Sequence, residues 1–275
     1  MKPITRALAD AARKLGPVSD TARLDAELLL AEALGIDRDR LLLRPPDRAV
    51  PDRFWTMVER RLGGEPVAYI TGRRAFWDIE LHVGPGVLIP RPDSEVLIAS
   101  AIDHFAGTSG PANILDLGTG PGTLLLAALD IWPKAFGIGV DSSRRALSYA
   151  AANARRLGFE DRATLKLGDW ASGIDQRFDL VLCNPPYVAI GAPLGPGVAE
   201  HEPDEALYAG GDGLDAYRRL APEFPRLLAP GGLAAVEIGH DQAAKAAALL
   251  ERDGLAAAHA TDLGGRPRAL LLTWV

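Results

Sequence analysis

The sequence predicts a doubly wound α/β fold, a mostly parallel sheet with helices on both faces, preceded by a helical segment and a β-hairpin. Three observations predict it. From Asn113 onward, short apolar runs alternate with stretches of helix formers. A glycine turn, Gly118-Thr119-Gly120-Pro121-Gly122, follows the first of those runs and opens a helix. Polar side chains then stand at the ends of successive runs: Asp141, Asp169 and Asn184.

Residues 1–62 read as helical. Leu24, Leu28, Ala31 and Leu34 lie among strong helix formers, Ser19 and Asp20 are placed to cap them, and Gly35 ends that helix. A second helix is expected from about Pro51 to Leu62, with proline in its first turn. Leu41-Leu42-Leu43, before Pro45-Pro46, is expected to be a short buried piece. The segment carries aliphatic, Arg and Asp residues without a chemical constellation, which fits a small module for holding a partner.

Gly63-Gly64-Glu65-Pro66 breaks the helical pattern. Ala75 to Val83 alternates as a strand does, Gly84-Pro85-Gly86 turns the chain, and Val87-Leu88-Ile89 is expected to return as the second strand of a hairpin. A helix follows to about Phe105, with Asp93 or Ser94 as its cap. The α/β part then reads as strands at 114–117, 135–140, 163–167, 178–183, 233–238 and 268–274. Helices are expected at 123–130, 143–157, 214–228 and 241–252. Residues 189–213, rich in proline and glycine, hold no clear element and are placed to act as a lid.

Composition narrows the function classes. Hydrophobic residues make up 48% and charged residues 24% of the 275, as in a water-soluble globular protein. No apolar run is long enough to span a membrane, and the N-terminal residues lack the apolar core of a signal peptide, so a cytoplasmic protein is expected. One cysteine excludes an intramolecular disulfide and a cysteine-rich zinc site. The five histidines lack ligand spacing, so no metal is expected. Residues 1–93 carry 15 Lys and Arg against 14 Asp and Glu, whereas the rest carry 15 against 22. A negative body argues against a phosphate backbone as the principal partner.

The most informative stretch is Asn184-Pro185-Pro186-Tyr187, at the end of the run Phe178 to Cys183. In an open parallel sheet, ligands bind outside the strand C-termini. Two prolines stiffen the turn and remove two donors, so the site offers an amide, bare carbonyls and a phenol ring. That set suits a planar group bearing an NH2. Cys183 beside it reads as core. Glu237 and His240 either face the pocket or, as the preferred reading, form a solvated strand end, and Arg91 either contacts substrate or ties the hairpin to the sheet.

Asp116 stands two places before Gly118, and the spacing Gly-x-Gly-x-Gly departs from the G-x-G-x-x-G that seats a pyrophosphate. Asp141 ends the next strand, where a carboxylate can take ribose hydroxyls. Asp169-Trp170 closes the third and offers a ring for adenine. The pattern favours S-adenosyl-L-methionine over a dinucleotide.

These motifs, together with Gly64-Glu65-Pro66, Ala68-Tyr69-Ile70, Phe76-Trp77, Pro90-Arg91-Pro92-Asp93-Ser94-Glu95, Asp212-Gly213-Leu214-Asp215 and Glu237-Ile238-Gly239, resemble the PrmC/HemK family. Its members are the peptide chain release factor glutamine methyltransferases. Ala75 stands where members often have Glu, and Ser94 replaces the more usual Thr.

The resemblance implies a class I S-adenosylmethionine-dependent methyltransferase fold, Rossmann-like, with a mostly parallel seven-stranded sheet. It implies a release-factor-binding helical domain at 1–74, a hairpin linker at 75–93 and the methyltransferase domain at 94–275. Methyl transfer to the glutamine amide nitrogen (N5) in the Gly-Gly-Gln motif of class I release factors is the implied reaction, with a monomer expected. Asn184, Pro185 and Tyr187 are the implied catalytic residues, and Pro186 and Arg91 join them in binding substrate. Asp116, Gly118, Thr119, Gly120, Pro121, Gly122, Asp141, Asp169, Trp170 and Asn184 are the implied cofactor contacts. The competing enzyme reading is an adenine N6-methyltransferase acting on DNA or RNA, which shares the Asn-Pro-Pro-Tyr motif. A non-catalytic binding module is the alternative outside the enzymes.

Overall fold

The structure, a computed structural model, describes residues 3–262 and 264–275. The chain divides into two compact units, one of residues up to 73 with 83–85 and 194–202, the other of residues 74–82, 86–193 and 203–275.

The first unit is helical: α1 (Pro3–Leu15), α2 (Ala22–Leu34), α3 (Arg38–Leu43), α4 (Asp52–Leu62) and α5 (Val67–Thr71). Ile4, Ala7, Leu8, Ala11 and Leu15 recur every three or four residues along α1, and all are buried. They share one core with Leu29 and Leu30 of α2 and Phe54 and Val58 of α4. Gly35 ends α2 as expected, at φ 63° in the left-handed region.

The expected cap of α2 is not formed. The Ser19 and Thr21 hydroxyls donate to the Asp25 carboxylate, at 2.8 and 3.0 Å, and no side chain caps the helix. Asp25 is almost fully buried and also receives Arg61 Nε at 2.8 Å. A buried carboxylate needs those donors more than a helix end does, because water can serve the helix end. Of the expected buried triplet only Leu41 is buried; Leu43 is 82% exposed, because one short helical turn can face inward with one residue only.

The second unit opens with a hairpin of β1 (Arg73–Phe76) and β2 (Ile79–His82). Its turn lies at Trp77-Asp78, earlier than expected, and Val87 to Ile89 form a buried loop rather than the returning strand. Trp77 takes φ 52°, a left-handed value that tightens the turn, and its N–H donates to Glu95 Oε1 at 3.2 Å. A fixed acceptor therefore holds a turn that the residue type alone does not favour.

The body contains α6 (Glu95–His104), β3 (Asn113–Leu117), α7 (Thr123–Ile131), β4 (Phe136–Asp141), α8 (Arg144–Leu157), β5 (Ala163–Leu167) and β6 (Phe178–Cys183). After α9 (Val198–His201), which falls to the first unit, come α10 (Asp215–Leu220), α11 (Phe224–Leu227), β7 (Leu228–Glu237), α12 (Ala243–Leu250), β8 (Leu255–Thr261) and β9 (Pro267–Trp274).

The seven-stranded sheet runs β5-β4-β3-β6-β7-β9-β8, parallel through β7 and antiparallel for β9 and β8. Ile114, Leu115 and Leu117 of β3 are wholly buried, as a strand covered on both faces requires. Burial of each such leucine is worth about 1.5–3 kcal/mol.

Two corrections concern the second half of the sheet. The helix expected over 214–228 is split into α10 and α11, with Pro222 and Pro225 in and after the break, where a missing N–H interrupts the ladder. Strand β8 was not expected, because Leu-Ala-Ala-Ala-His-Ala-Thr is rich in a helix former; it is an edge strand that pairs with β9 along its length. Between β6 and α10, residues 189–213 are not featureless. They contain α9 and a 3-10 turn at Asp204–Ala206, and Val188 bridges Tyr208. Among the described residues, no helix is long and apolar enough to cross a membrane.

Candidate active site

Sheet order changes direction between β3 and β6, because the chain leaves β3 for β4 on one side and returns to β6 on the other. At such a switch point the loops after the two strands diverge and leave a crevice. Leu117 pairs with Cys183, so the glycine turn and Asn184 leave the sheet side by side. A cavity of about 450 Å3 lies there, within the range of a small-molecule site.

The glycine turn and its acid form one wall. Gly118 has φ 74°, a left-handed conformation that L side chains rarely adopt, and its backbone lines the cavity beside the Trp170 ring. Asp116 is fully buried. Its Oδ2 accepts from Thr119 Oγ1 at 2.7 Å and from the Leu125 N–H at 3.2 Å, while its Oδ1 has no partner among the described residues. Burial raises its carboxyl from the ordinary 3.8 to about 7; the two hydrogen bonds oppose that rise and the Asp141 charge adds to it. A buried carboxylate oxygen left without a donor fits a cationic ligand.

Asp141 stands at the end of β4 and accepts from the Gly120 N–H and the Ser143 N–H, each at 2.8 Å. Burial raises its carboxyl, the two backbone bonds oppose this, and the Glu205 charge adds to it. Two backbone donors fix the carboxylate yet leave acceptor sites for hydroxyl groups. Trp170 also lines the cavity, in a left-handed conformation at φ 52°. Asp169 accepts from Arg219 Nη2 at 2.6 Å, and both residues line the cavity.

Asn184 belongs to a chain of polar contacts. Its Nδ2 donates to Ser94 Oγ at 3.0 Å, Ser94 donates to Glu237 Oε2 at 2.5 Å, and the Tyr187 hydroxyl donates to Glu237 Oε1 at 3.3 Å. Asn184 Oδ1 accepts nothing among the described residues. Pro185 is buried, and its carbonyl likewise accepts no hydrogen bond there. Gln242 donates to the Tyr187 carbonyl at 2.9 Å, which fixes the far end of the motif.

Residues 6–72 match a family model described as the PrmC N-terminal domain, and residues 109–260 match one described as a methyltransferase domain. The release factor glutamine methyltransferase of Rhodospirillum rubrum is 43% identical over 255 residues, which cover 90% of this chain and 78% of that protein. That of Pseudomonas aeruginosa is 41% identical over 266 residues, covering 94% and 95%. The chain belongs to the release factor glutamine methyltransferase family. A methyltransferase structure from Pyrococcus furiosus superposes with a TM-score of 0.54 at 19% identity, covering 78% of this chain and 96% of that one, a likeness of fold alone.

For a release factor glutamine methyltransferase, the placement of the expected residues is informative. Arg91, Asp116, Gly118, Thr119, Gly120, Pro121, Asp141, Asp169, Trp170, Asn184 and Pro186 line the cavity. Gly122, Pro185 and Tyr187 are not among its lining residues. A Cβ on Gly122 would come within 2.7 Å of the Leu126 side chain, so this glycine serves the packing of α7. The Tyr187 ring packs partly against the core. Cys183 is core as expected, its thiol pushed up by burial.

Ser94 does not cap α6, because its hydroxyl is committed to Glu237. Glu237 is fully buried, against the expected solvated strand end, whereas His240 is exposed. Its carboxyl is raised from 4.5 to about 7, chiefly by burial, with Ser94, Arg268 and Tyr187 opposing the rise. Asn153 carried no signal in an alanine-rich helix. It is wholly buried, and it joins the hairpin to the glycine turn through the His82 N–H and the His82 and Pro121 carbonyls.

Proposed function

We propose that this chain methylates the side-chain amide nitrogen (N5) of the glutamine in the Gly-Gly-Gln motif of class I peptide chain release factors, using S-adenosyl-L-methionine. The observation that carries the reading is Asn184, whose NH2 is tied to Ser94 while its oxygen accepts nothing among the described residues, on the lining of a cavity that also holds the glycine turn.

The residues present fit the cofactor. Asp116 Oδ1, buried and without a partner among the described residues, would hold the ammonium of its methionine part. Asp141 would take the ribose hydroxyls, and Trp170 with Asp169 would flank the adenine. When bound, the cofactor supplies a methyl group activated on a sulfonium; the amide nitrogen gains that methyl and loses one proton to solvent, leaving a neutral thioether.

The chain's own residues make the nitrogen competent. An amide nitrogen is a poor nucleophile because its lone pair is delocalised into the carbonyl. Asn184 Oδ1 and the Pro185 carbonyl accept its two N–H bonds and favour the positive charge that grows on nitrogen during transfer. Tyr187 is assigned to cover the amide plane, and Pro186 and Arg91 to bound the substrate. The turn is stiff, so the acceptors need no reorganisation.

The assignment extends to the whole chain. Residues 1–74 engage the release factor, 75–93 link, and 94–275 carry the chemistry in a cytoplasmic monomer that does not bind nucleic acid directly. The test is mass spectrometry of a purified release factor after incubation with enzyme and cofactor. One added methyl on the Gly-Gly-Gln peptide, fragmenting to the glutamine side chain, supports the reading; an unmodified peptide contradicts it.

A further inference from the structure

An asparagine side chain turned by half a rotation keeps its shape but exchanges an acceptor for a donor. The proposed transfer requires the oxygen to face the substrate amide, since a flipped Asn184 would set N–H against N–H. What selects the orientation is therefore part of how the site works.

An ionised carboxylate only accepts hydrogen bonds, so both hydroxyls on Glu237 must donate to it: Ser94 to Oε2 at 2.5 Å and Tyr187 to Oε1 at 3.3 Å. Ser94 has a single proton. Once that is given to Glu237, its oxygen can only accept from Asn184, and only Nδ2 can supply the bond at 3.0 Å. We propose that Ser94 and Glu237 are positioning residues that fix the amide orientation of Asn184, with the buried carboxylate setting the direction of every hydrogen bond in the chain. This rests on the transfer to glutamine proposed above.

The groups facing Glu237 define when the chain holds. Asp93 lies beside Ser94 in the turn before α6, Tyr187 follows β6, Arg268 comes from β9, Tyr217 from α10 and Cys183 from β6. Arg268 favours the ionised form but is shared with Asp93 at 3.0 Å and Asp262 at 3.4 Å. Burial outweighs it and brings the carboxyl to about 7. A protonated Glu237 has a hydroxyl to donate. Given to Ser94, it frees the Ser94 proton for Asn184 Oδ1 and stabilises the flipped amide. Productive orientation is then lost on the acid side.

The test measures kcat and KM with cofactor and release factor saturating, from about pH 6 to pH 8, for wild type, Ser94→Ala, Ser94→Thr and Glu237→Gln. Binding of S-adenosylhomocysteine by calorimetry is the second readout. Ser94→Ala is expected to lower kcat by about 10–100-fold, and Ser94→Thr, which keeps the hydroxyl, to restore it. All three variants should bind S-adenosylhomocysteine within roughly threefold of wild type, since none removes a proposed contact to it. Wild-type kcat should fall toward acid, and Glu237→Gln, which cannot ionise, should have a low and flat profile. Unchanged kcat in Ser94→Ala, or an acid fall that persists in Glu237→Gln, overturns the positioning role. A wild-type enzyme that binds S-adenosylhomocysteine but never methylates a release factor overturns the proposed function instead, and the positioning role with it.

Discussion

Leu117 and Cys183 face one another at the ends of parallel strands β3 and β6, and the residue after each begins a loop of the cavity. This register sets the Gly118 backbone and the Asn184 side chain at one crevice although they are far apart in sequence. Removing the amide should therefore affect chemistry without disturbing the other wall. Asn184→Ala is expected to lower kcat by about 10²–10³-fold, as loss of a transition-state contact does. Binding of S-adenosylhomocysteine should remain within a few-fold of wild type; equal losses in both would count against the acceptor role.

Asp141→Ala should have the opposite profile. Its carboxylate is held by two backbone N–H groups and lines the same cavity. Loss of a charge-assisted contact costs about 1.5–3 kcal/mol, so the dissociation constant for S-adenosylhomocysteine should rise by about tenfold or more in calorimetry. Unchanged affinity would remove the ribose assignment.

Asp116, if it holds the cofactor ammonium as proposed, should make cofactor binding depend on pH. Its carboxyl is raised from 3.8 to about 7, so in that window the folded protein holds a proton that the unfolded chain has released. The associated stability is complete below the unfolded value and is lost as pH rises through about 7. A cationic ligand reverses the preference, since it favours the carboxylate. Binding of S-adenosylhomocysteine should release a proton and strengthen between about pH 6 and pH 8, and Asp116→Asn should abolish that pH dependence. A pH-independent affinity in the wild type would contradict the ammonium assignment.

Asn153 tests the architecture rather than the chemistry. Asn153→Ala leaves the His82 N–H and two carbonyls without their partner in a setting that is buried at Pro121 and partly buried at His82. A cost of about 2–4 kcal/mol is expected from denaturant titration, with the wild-type stability difference vanishing as the result that would refute it.

Much of this was legible in the sequence, for physical reasons. Apolar runs such as Ile114 to Leu117 and Phe178 to Cys183 announce strands buried on both faces, and polar residues at their ends announce a site. Asn184 and the glycine turn could be read because each is local. The Ser94–Glu237 contact could not, because it joins residues 143 positions apart and only the crossing of the turn before α6 with β7 creates it. Strand β8 was hidden by alanines whose local preference yields to pairing with β9. The hairpin turn was misplaced because Trp77 adopts a glycine-like conformation that Glu95 supports from outside the turn.

The most direct measurement offers the purified enzyme labelled S-adenosylmethionine with three acceptors: a class I release factor, its Gly-Gly-Gln variant with Gln→Ala, and unmethylated DNA. Label in the wild-type factor alone is the predicted result, because Asn184 and Pro185 are proposed to receive a side-chain amide. Label in DNA would contradict it and assign the same acceptors to an exocyclic amine of a flipped base.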